Sequence, residues 1–476
     1  MLYRVILLFF LAAGIFSTSY SQEKWDLRKC VDYALANNIS IKQSDVQAKI
    51  TALQYNQSKL SQYPTLGFSG NTSFNSGLHQ DPTSFGLITQ NYVGAQLQLQ
   101  SSAQIFNWFS KQNTIAANHW QAEAAKAGTD KLKDDISLTV ANAYLQVLLS
   151  KQQQNIAEIQ LKQSKAQLDN TRKLVDAGSL PELNATELES QVETDSANYI
   201  TAKGNVDLNI LLLKANMNID AAAPFEVDEP PVELIPVEKI ADLQPDAVYA
   251  LALTNLPQQR VNDFKLRSLQ KSADVSKAAM YPIFSAFGSI GTGYSSRGTE
   301  ITSSYLVNEI GSVTVGNTSY SVTPLAPITN YNYGKTAFFK QLNTNRGEAV
   351  GISLNVPIFN GGSYKTNWQI AKLNVQNQQL QKDADNQKLK QDIYQAYNAA
   401  LVALQKFSSS QKAVDAAQRS YDFAQKRYDV GMLSTIELIT NQNNLLSAKL
   451  QNVQNQFDYV FKMKVLEFYK GQGLKL

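Results

Sequence analysis

The sequence contains one cysteine in 476 residues, which excludes a disulfide framework. Its two histidines, His79 and His119, lie far apart and share no metal-ligand spacing. It lacks a glycine-rich phosphate loop, a nucleophile elbow and a zinc-protease motif. The 43 basic and 40 acidic residues nearly balance, which gives no reason to expect a nucleic-acid partner. We therefore expect a protein that is not an enzyme, with no metal site and no cofactor.

The remaining reactive side chains have structural interpretations. Glu187, Glu189, Glu193 and Asp195 fall in one helical stretch, where we expect a solvated face rather than an acid–base pair. Cys30 follows charged residues and lies beyond the N-terminal apolar segment, so a buried, inert thiol is favoured over a lipidation site.

Long apolar runs are equally scarce. Residues 5–16 form a run of twelve apolar residues between Arg4 and the small residues Ser19 and Ser21. This pattern is typical of a secretory signal peptide, which we place at residues 1–21. Twelve residues are too few for a membrane-spanning helix, which needs roughly 20. Because only helices and closed barrels satisfy their backbone in lipid, any membrane insertion of the mature chain would need a β-barrel.

What the sequence does contain is an internal duplication. Residues 350–360 (VGISLNVPIFN) are echoed by residues 93–99 (VGAQLQL) and 105–107 (IFN), and in each copy a strand-like alternation runs into a long helical stretch. We predict two repeats of helix, β-hairpin, long helix, turn and helix, which suggests a pseudo-symmetric, elongated architecture. The repeats occupy residues 22–223 and 245–476, and a proline-rich connector at 224–244 joins them.

Long helices dominate the pattern. The longest stretches, residues 108–175 and 362–428, contain no proline. Glycine ends the first at Gly178, after which Pro181 suits the first turn of the next helix. Apolar residues recur every seven positions in two later stretches, which is the coiled-coil pattern: Ala185, Val192, Tyr199, Val206 and Leu213, and Ile439, Leu446, Val453 and Val460.

Four segments of about ten residues alternate apolar with small or polar side chains, at 65–75, 92–102, 283–294 and 348–359. The third is less regular, because Ile283 and Phe287 fall on its small-residue face. A soluble antiparallel sheet with one buried face shows the same alternation. A membrane barrel is favoured because no other segment supplies an apolar cover. Aromatic residues also cluster where strands meet helices, as in an interfacial girdle: Tyr63, Phe106, Trp108, Phe109, Tyr281, Phe359, Tyr364 and Trp368.

Four strands cannot close a barrel, since the smallest transmembrane barrels have about eight. Three chains would supply twelve strands. The predicted fold is therefore a mostly helical, mixed α/β membrane protein. Its trimeric transmembrane β-barrel has two hairpins per chain and is continued by a long, hollow α-helical coiled-coil barrel.

Several motifs in this order resemble the TolC-like outer-membrane efflux family over essentially the whole mature chain. They are a Tyr-Pro pair before each odd strand (63–64 and 281–282), residues 356–362 (VPIFNGG) and residues 427–434 (RYDVGMLS). The resemblance implies a homotrimeric channel in the outer membrane of a Gram-negative bacterium, in contact with outer-membrane lipid and extended by a periplasmic tunnel. Such a channel serves tripartite efflux or type I secretion, with its tips docked on a periplasmic adaptor bound to an inner-membrane pump.

The resemblance also implies roles for residues at the two tips. The adaptor-docking positions are Gly178, Ser179, Leu180, Gly431, Met432, Leu433 and Ser434. Tyr428 matches a tyrosine that holds the closed aperture, and Glu437 matches an acidic ring position. The chain departs from the family pattern at Leu433, Thr440 and Asn184, where members carry a basic and two acidic residues, so a salt-bridge latch is in doubt.

The residues alone also allow other roles for the tip residues and other classes for the whole protein. Tyr428 and Glu437 could be a packing residue and a solvated helix start. The whole chain could be a non-transporting trimeric coiled-coil surface protein or a periplasmic scaffold. The two hairpins lie some 190 residues apart in the sequence, which argues against a surface adhesin with consecutive C-terminal strands. The segment 295–347 is expected to be a long extracellular loop, and a passive conduit is the favoured function.

Overall fold

A computed structural model describes residues 24–80, 86–231 and 235–471; the predicted signal peptide at 1–21 lies outside them. The described part of the chain is mostly helical. Its helices are α1 (Leu27–Asn37), α2 (Ile39–Leu60), α3 (Ser110–Asp176), α4 (Glu182–Met217), α5 (Pro245–Asn255), α6 (Pro257–Ala278), α7 (Phe338–Thr344), α8 (Ser363–Asp429) and α9 (Thr435–Phe468). None of these helices has the length and apolar character needed to cross a membrane.

Eight strands accompany the helices within the described residues. They are β1 (Thr65–Gln80), β2 (Leu87–Phe106), β3 (Ile283–Ser295), β4 (Thr299–Val307), β5 (Gly311–Val315), β6 (Thr318–Val322), β7 (Ile328–Lys335) and β8 (Gly347–Asn355). The described residues divide into a helical unit, which falls within 1–53, 118–269 and 374–476, and a sheet unit, which falls within 54–117 and 270–373.

The helical unit has two apolar clusters, each built on a different set of helices. The first joins α1, α3, α4 and α9 through buried residues that include Val31, Tyr144, Leu213, Met217 and Phe457. The second joins α5, α8 and α9 through Val248, Ala252, Ile393, Met463 and Leu466. Helix α9 contributes to both clusters, so it is the element shared by the two halves of this core.

The buried residues of α4 follow the predicted seven-residue spacing. In α9 the buried residues differ from the predicted ones. Ala185, Val192, Val206 and Leu213 are buried in α4, whereas Tyr199, the fifth predicted residue, is only half-buried. Near the start of α9, however, the buried positions are Thr435, Leu438, Gln442 and Leu445, while Ile439 and Leu446 are only half-buried. The predicted α9 stripe is therefore one position late near the turn, because the packing there includes polar residues that apolar periodicity overlooks.

The main sheet is antiparallel, with strand order β1–β2–β3–β8. Its registers pair Thr65 with Ser102, Gly94 with Ser295, and Ile283 with Asn355. β1 and β2 are longer than predicted, at 16 and 20 residues. β8 is shorter, and the prediction of a strand to residue 359 is wrong. Its partner β3 begins at Ile283, directly after a proline that has no amide to donate.

One face of this sheet is apolar and the other consists mainly of Gly, Ser, Asn and Gln. The apolar face includes Leu66, Phe68, Phe74, Val93, Leu99, Ile290, Val350, Ile352 and Leu354, all of them exposed. Within the described part of the chain, this face thus has no protein cover. An exposed apolar surface of this kind marks a contact with another chain or with lipid.

The segment between β3 and β8 is more ordered than the predicted loop 295–347. β4 pairs with β7 and β5 pairs with β6, so two small antiparallel ribbons replace most of the loop. Helix α7 follows, and the Gln341 side chain in it accepts a hydrogen bond from the Ser295 amide at 2.9 Å. β5 and β6 have only five residues each, over which alternation is difficult to distinguish from loop sequence.

Two turns connect the sheet to α3 and α8, and both use consecutive left-handed residues. The second uses Gly361 and Gly362, with φ of 67° and 78°, whereas the first places Trp108 and Phe109 at 53° and 61°. This conformation costs roughly 1–2 kcal/mol for a residue with a side chain. Contacts of Trp108 offset the cost: its indole nitrogen donates to the Pro282 carbonyl at 2.9 Å, and its ring lies 4.9 Å from that of Tyr281.

Cys30 belongs to the first core cluster. It is fully buried in α1, and burial, assisted by the negative charge of Asp26, raises the pKa of its thiol to about 12. The thiolate is the reactive form of cysteine. The raised pKa therefore fits the inert, structural thiol favoured from the sequence.

We predict that iodoacetamide at pH 8 alkylates Cys30 about three orders of magnitude more slowly in the folded protein than in urea, because an unfolded thiol has a pKa near 8.5. Mass spectrometry of timed samples measures both rates. Ala36→Cys in a Cys30→Ala chain is the control, since Ala36 is exposed in the same helix. Since the folded pKa is the higher one, the associated stability is present below about pH 8.5 and is lost as pH rises toward 12. Rapid labelling without urea, or a lipid adduct on Cys30, would contradict a buried structural thiol.

Candidate functional site

The two turns between long helices have the same backbone geometry. Gly178 follows α3 with φ of 73°, and Gly431 follows α8 with φ of 72°. A Cβ on either glycine would meet no atom within 4 Å, so the left-handed backbone, and not space, requires glycine there. Two amide–carbonyl bonds close each turn in a Schellman pattern: Gly178 to Val175 and Ser179 to Leu174 (both 2.8 Å), and Gly431 to Tyr428 (2.9 Å) and Met432 to Arg427 (2.8 Å).

The helices that leave the two turns start differently. Ser434 caps α9, and its hydroxyl accepts from the Glu437 amide at 3.3 Å. The Glu437 carboxylate in turn accepts from the Ser434 amide at 3.3 Å and its hydroxyl at 3.1 Å, which completes a capping box. Pro181 is the N-cap of α4, with no side-chain bond. The prediction that it lies in the first turn of the helix is therefore wrong by one position.

Tyr428 connects the two turns within the chain. Its hydroxyl lies 3.1 Å from the Thr171 hydroxyl on α3 and 3.5 Å from the Thr435 hydroxyl on α9. An ion pair between Arg172 and Glu189 adds a contact between α3 and α4 close by. The ends of α3, α4, α8 and α9 are thus tied together by polar side chains.

The other predicted aperture residues bond within their own helix starts. The backbone N–H of Asn184 donates to the Pro181 carbonyl at 3.1 Å. Thr440 donates its hydroxyl to the Ile436 carbonyl at 2.7 Å. Glu437 is engaged in the cap, a role that the Ser-x-x-Glu spacing could have indicated from the sequence. Among the contacts of the described residues, Tyr428 is the one predicted aperture residue whose side chain joins one turn to the other.

Apolar side chains are exposed around both turns. Among the predicted docking residues, Met432 is 71% exposed, whereas Leu180 and Leu433 are half-buried. Three further exposed residues were not predicted from the sequence: Leu183, Val430 and Ile436. Their positions close to a turn glycine could have indicated them from the sequence. Together with Met432 they form what we call the tip surface.

Elsewhere in the helical unit, one carboxylate side chain is buried, although the sequence predicted that it would be solvated. Asp195, expected on a solvated face, is 1% exposed. It accepts hydrogen bonds from the Ser164 hydroxyl at 2.6 Å and the Gln191 amide nitrogen at 2.9 Å. Gln442 on α9 donates to the same Ser164 at 2.9 Å. These hydrogen bonds form a polar network that joins α3, α4 and α9. They also offset the hydration that the Asp195 side chain loses on burial.

The network borders a cavity of about 590 Å³ lined largely by amide and hydroxyl side chains of the same three helices. Gln160, Gln191 and Asn443 are among its lining residues. Within the described residues, however, no group of three or more His, Cys, Asp or Glu side chains is placed to hold a metal ion.

The predicted aromatic girdle is partly assembled in the sheet unit. The rings of Phe106 and Trp108 lie 5.3 Å apart, and Trp108 contacts Tyr281. Tyr63 and Phe359 are strongly exposed. All of these aromatic residues thus lie where strands join helices, and much of their apolar surface faces outward from the chain.

We predict that Asp195→Ala lowers the free energy of unfolding by about 2–4 kcal/mol, because buried donors on Ser164 and Gln191 lose their acceptor. Urea unfolding followed by circular dichroism measures the change. Glu193→Ala is the matched control: Glu193 is exposed on the same helix and its loss should change stability by less than about 0.5 kcal/mol. Equal effects of the two substitutions would show that the network contributes nothing specific.

Comparison with known proteins adds to these observations. The family described as outer membrane efflux protein matches residues 30–217 and 248–466. The chain is 20% identical over 458 residues to the probable outer membrane lipoprotein SilC of Salmonella typhimurium, which covers 94% of this chain and 87% of that protein. It is 21% identical over 447 residues to the outer membrane protein TolC of Escherichia coli strain K12, with coverage of 93% and 81%.

Solved structures show the same fold. CusC superposes with a TM-score of 0.76 at 16% identity, over 96% of each chain. The open-state MtrE outer membrane channel of Neisseria gonorrhoeae superposes with a TM-score of 0.71 at 19% identity, over 94% of this chain and 88% of that one. The mostly helical fold with a four-stranded antiparallel main sheet is therefore shared with outer-membrane channel structures.

Proposed function

Because the chain belongs to the outer membrane efflux protein family, we propose that it is the outer-membrane exit duct of a tripartite efflux or type I secretion system. In this proposal it is a passive conduit across the periplasm and outer membrane of a Gram-negative bacterium. The signal peptide at 1–21 would direct its export, and the repeats at 22–223 and 245–476 would each supply one hairpin.

The observation that carries the proposal is the main sheet. Its apolar face is exposed and its opposite face is polar, which suits a wall with lipid on one side and water on the other. β1 and β8 are its edge strands. Because an open edge is not tolerated in lipid, both edges must pair with other copies. Three chains would close a twelve-stranded barrel, with the ribbons β4–β7 and β5–β6 outside the cell.

The helical unit supports the same assembly. Helix α4 exposes Ile200, Leu208, Leu211 and Leu212 although it packs its other face into the core. In a homotrimer these residues would pack against the next copy and complete a coiled-coil barrel. Neighbouring copies would thus cover apolar helix surface below the membrane, while lipid covers the apolar sheet face.

The tip surface is proposed as the adaptor-docking end. Its exposed Leu183, Val430, Met432 and Ile436 offer apolar contacts beside the rigid turns of Gly178 and Gly431. The docking positions predicted from the sequence, from Gly178 to Leu180 and from Gly431 to Ser434, lie in the same two turns.

The adaptor would connect the duct to an inner-membrane pump, which supplies the energy that a passive channel lacks. Tyr428, Glu437, Asn184 and Thr440 are proposed to surround the periplasmic aperture.

We predict that the mature protein, extracted from membranes, has a detergent-corrected mass of three chains and forms ion-conducting pores in planar bilayers. Analytical ultracentrifugation and single-channel recording provide the two readouts. A trimer supplies the twelve strands that closure requires. A monomer, or a protein released without detergent, would exclude the duct and favour a periplasmic scaffold.

We predict that Tyr428→Phe increases the frequency of the open aperture about five-fold, because the lost contact with Thr171 is worth about 1 kcal/mol. Single-channel recordings of the trimer measure this directly. The control is Tyr421→Phe, since the Tyr421 hydroxyl donates to Gln425 within the same helix, at 3.1 Å. Increased opening in both variants, or in neither, would argue that Tyr428 is a packing residue and not part of the aperture.

A further inference from the structure

The register of the main sheet assigns Phe284 and Phe287 of β3 to opposite faces. Phe284 pairs with Leu354 on the apolar face. Phe287 pairs with Ser102 on one side and Gly351 on the other, and both belong to the polar face. Because side chains alternate along a strand, two residues three apart must point to opposite sides.

The position of the phenyl ring confirms this assignment. A Cβ added to Gly351 would lie 2.7 Å from Cζ of Phe287. The ring of Phe287 therefore extends across the neighbouring strand and covers the place where a side chain at 351 would be. Phe287 is 43% exposed, and this exposed part of its surface is open on the polar side of the sheet.

The surroundings of Phe287 are otherwise polar or small. Ser285 and Ser289 are its same-face neighbours along β3. Ser289 lines a recess of about 380 Å³ whose other lining residues include Gln96, Gln98 and Gly291. Phe287 is thus an isolated aromatic side chain on a wall of serine, glutamine and glycine.

We infer that Phe287 is a cargo-contact residue inside the channel, and that three copies form an aromatic ring for organic solutes with aromatic or cationic groups. The inference rests on the proposed function, because the polar face becomes the lumen only in a closed barrel. A twelve-stranded barrel is wider than one of eight strands, whose interior side chains just fill it. The three rings therefore line the lumen and leave it open.

The chemistry suits transient contact with cargo. A phenyl face attracts apolar rings by stacking and organic cations by its quadrupole. Exposed contacts of this kind are weak, so a solute would pause at the ring and then leave, as conduction requires. The recess lined by Ser289, two residues further along the same face of β3, offers room for part of a passing solute.

The first test is accessibility of single cysteines in a Cys30→Ala chain. We expect a charged, membrane-impermeant methanethiosulfonate to react with Phe287→Cys and reduce pore conductance, in up to three steps per trimer. Phe284→Cys, on the apolar face, should not react. Reaction at 284 but not at 287, in variants that both form pores, would overturn the inference while leaving the channel intact.

The second test uses tetraphenylphosphonium as an organic-cation blocker of potassium current. Phe287→Leu keeps apolar volume and should fold, but it removes the π-face. We expect the concentration for half-block to rise about two- to five-fold, with no change for Phe284→Leu. An unchanged half-block for Phe287→Leu would overturn the inference. Failure of the wild-type protein to form pores would overturn the proposed function and, with it, the inference.

Discussion

The rest of this structure depends on a sheet that one chain cannot complete. Its four strands have two open edges and an apolar face without cover in the described residues. Unpaired strand edges and exposed apolar surface are both unfavourable for an isolated protein in water. In the proposed assembly, pairing with further copies would satisfy the edges, and lipid would cover the apolar face. The need for further copies therefore rests on backbone hydrogen bonding and burial, and the proposed trimer would meet it independently of any detail at the tips.

Backbone geometry provides the other strict requirement. The left-handed residues Gly178 and Gly431 let each pair of long helices reverse direction, and the same conformation recurs where the sheet joins α3 and α8. At one of those junctions it is held by Trp108 and Phe109 in place of glycine. A ring contact and an indole hydrogen bond must then offset the strain. The chain evidently retains aromatic surface at this junction at a cost in backbone energy.

Polar packing distinguishes the helical unit from an ordinary apolar bundle. Asp195, Ser164 and Gln442 form a buried network, and Gln442 occupies a buried position in α9 between the buried residues Leu438 and Leu445. Buried polar groups of this kind specify one register between helices, because any slip leaves donors and acceptors unpaired. This network joins α3, α4 and α9, whereas the contact of Tyr428 with Thr171 joins α8 to α3.

The sequence by itself determined the features that depend on neighbouring residues. Helix ends at turn glycines, strand alternation at 65–75 and 92–102, and the buried heptad residues of α4 were all predictable because propensity and periodicity act locally. Only the tertiary structure decided the burial of Asp195, the end of β8 at Asn355 and the orientation of Phe287 over Gly351. Each of these depends on which distant segment lies alongside, and that pairing is settled by the packing of the whole chain.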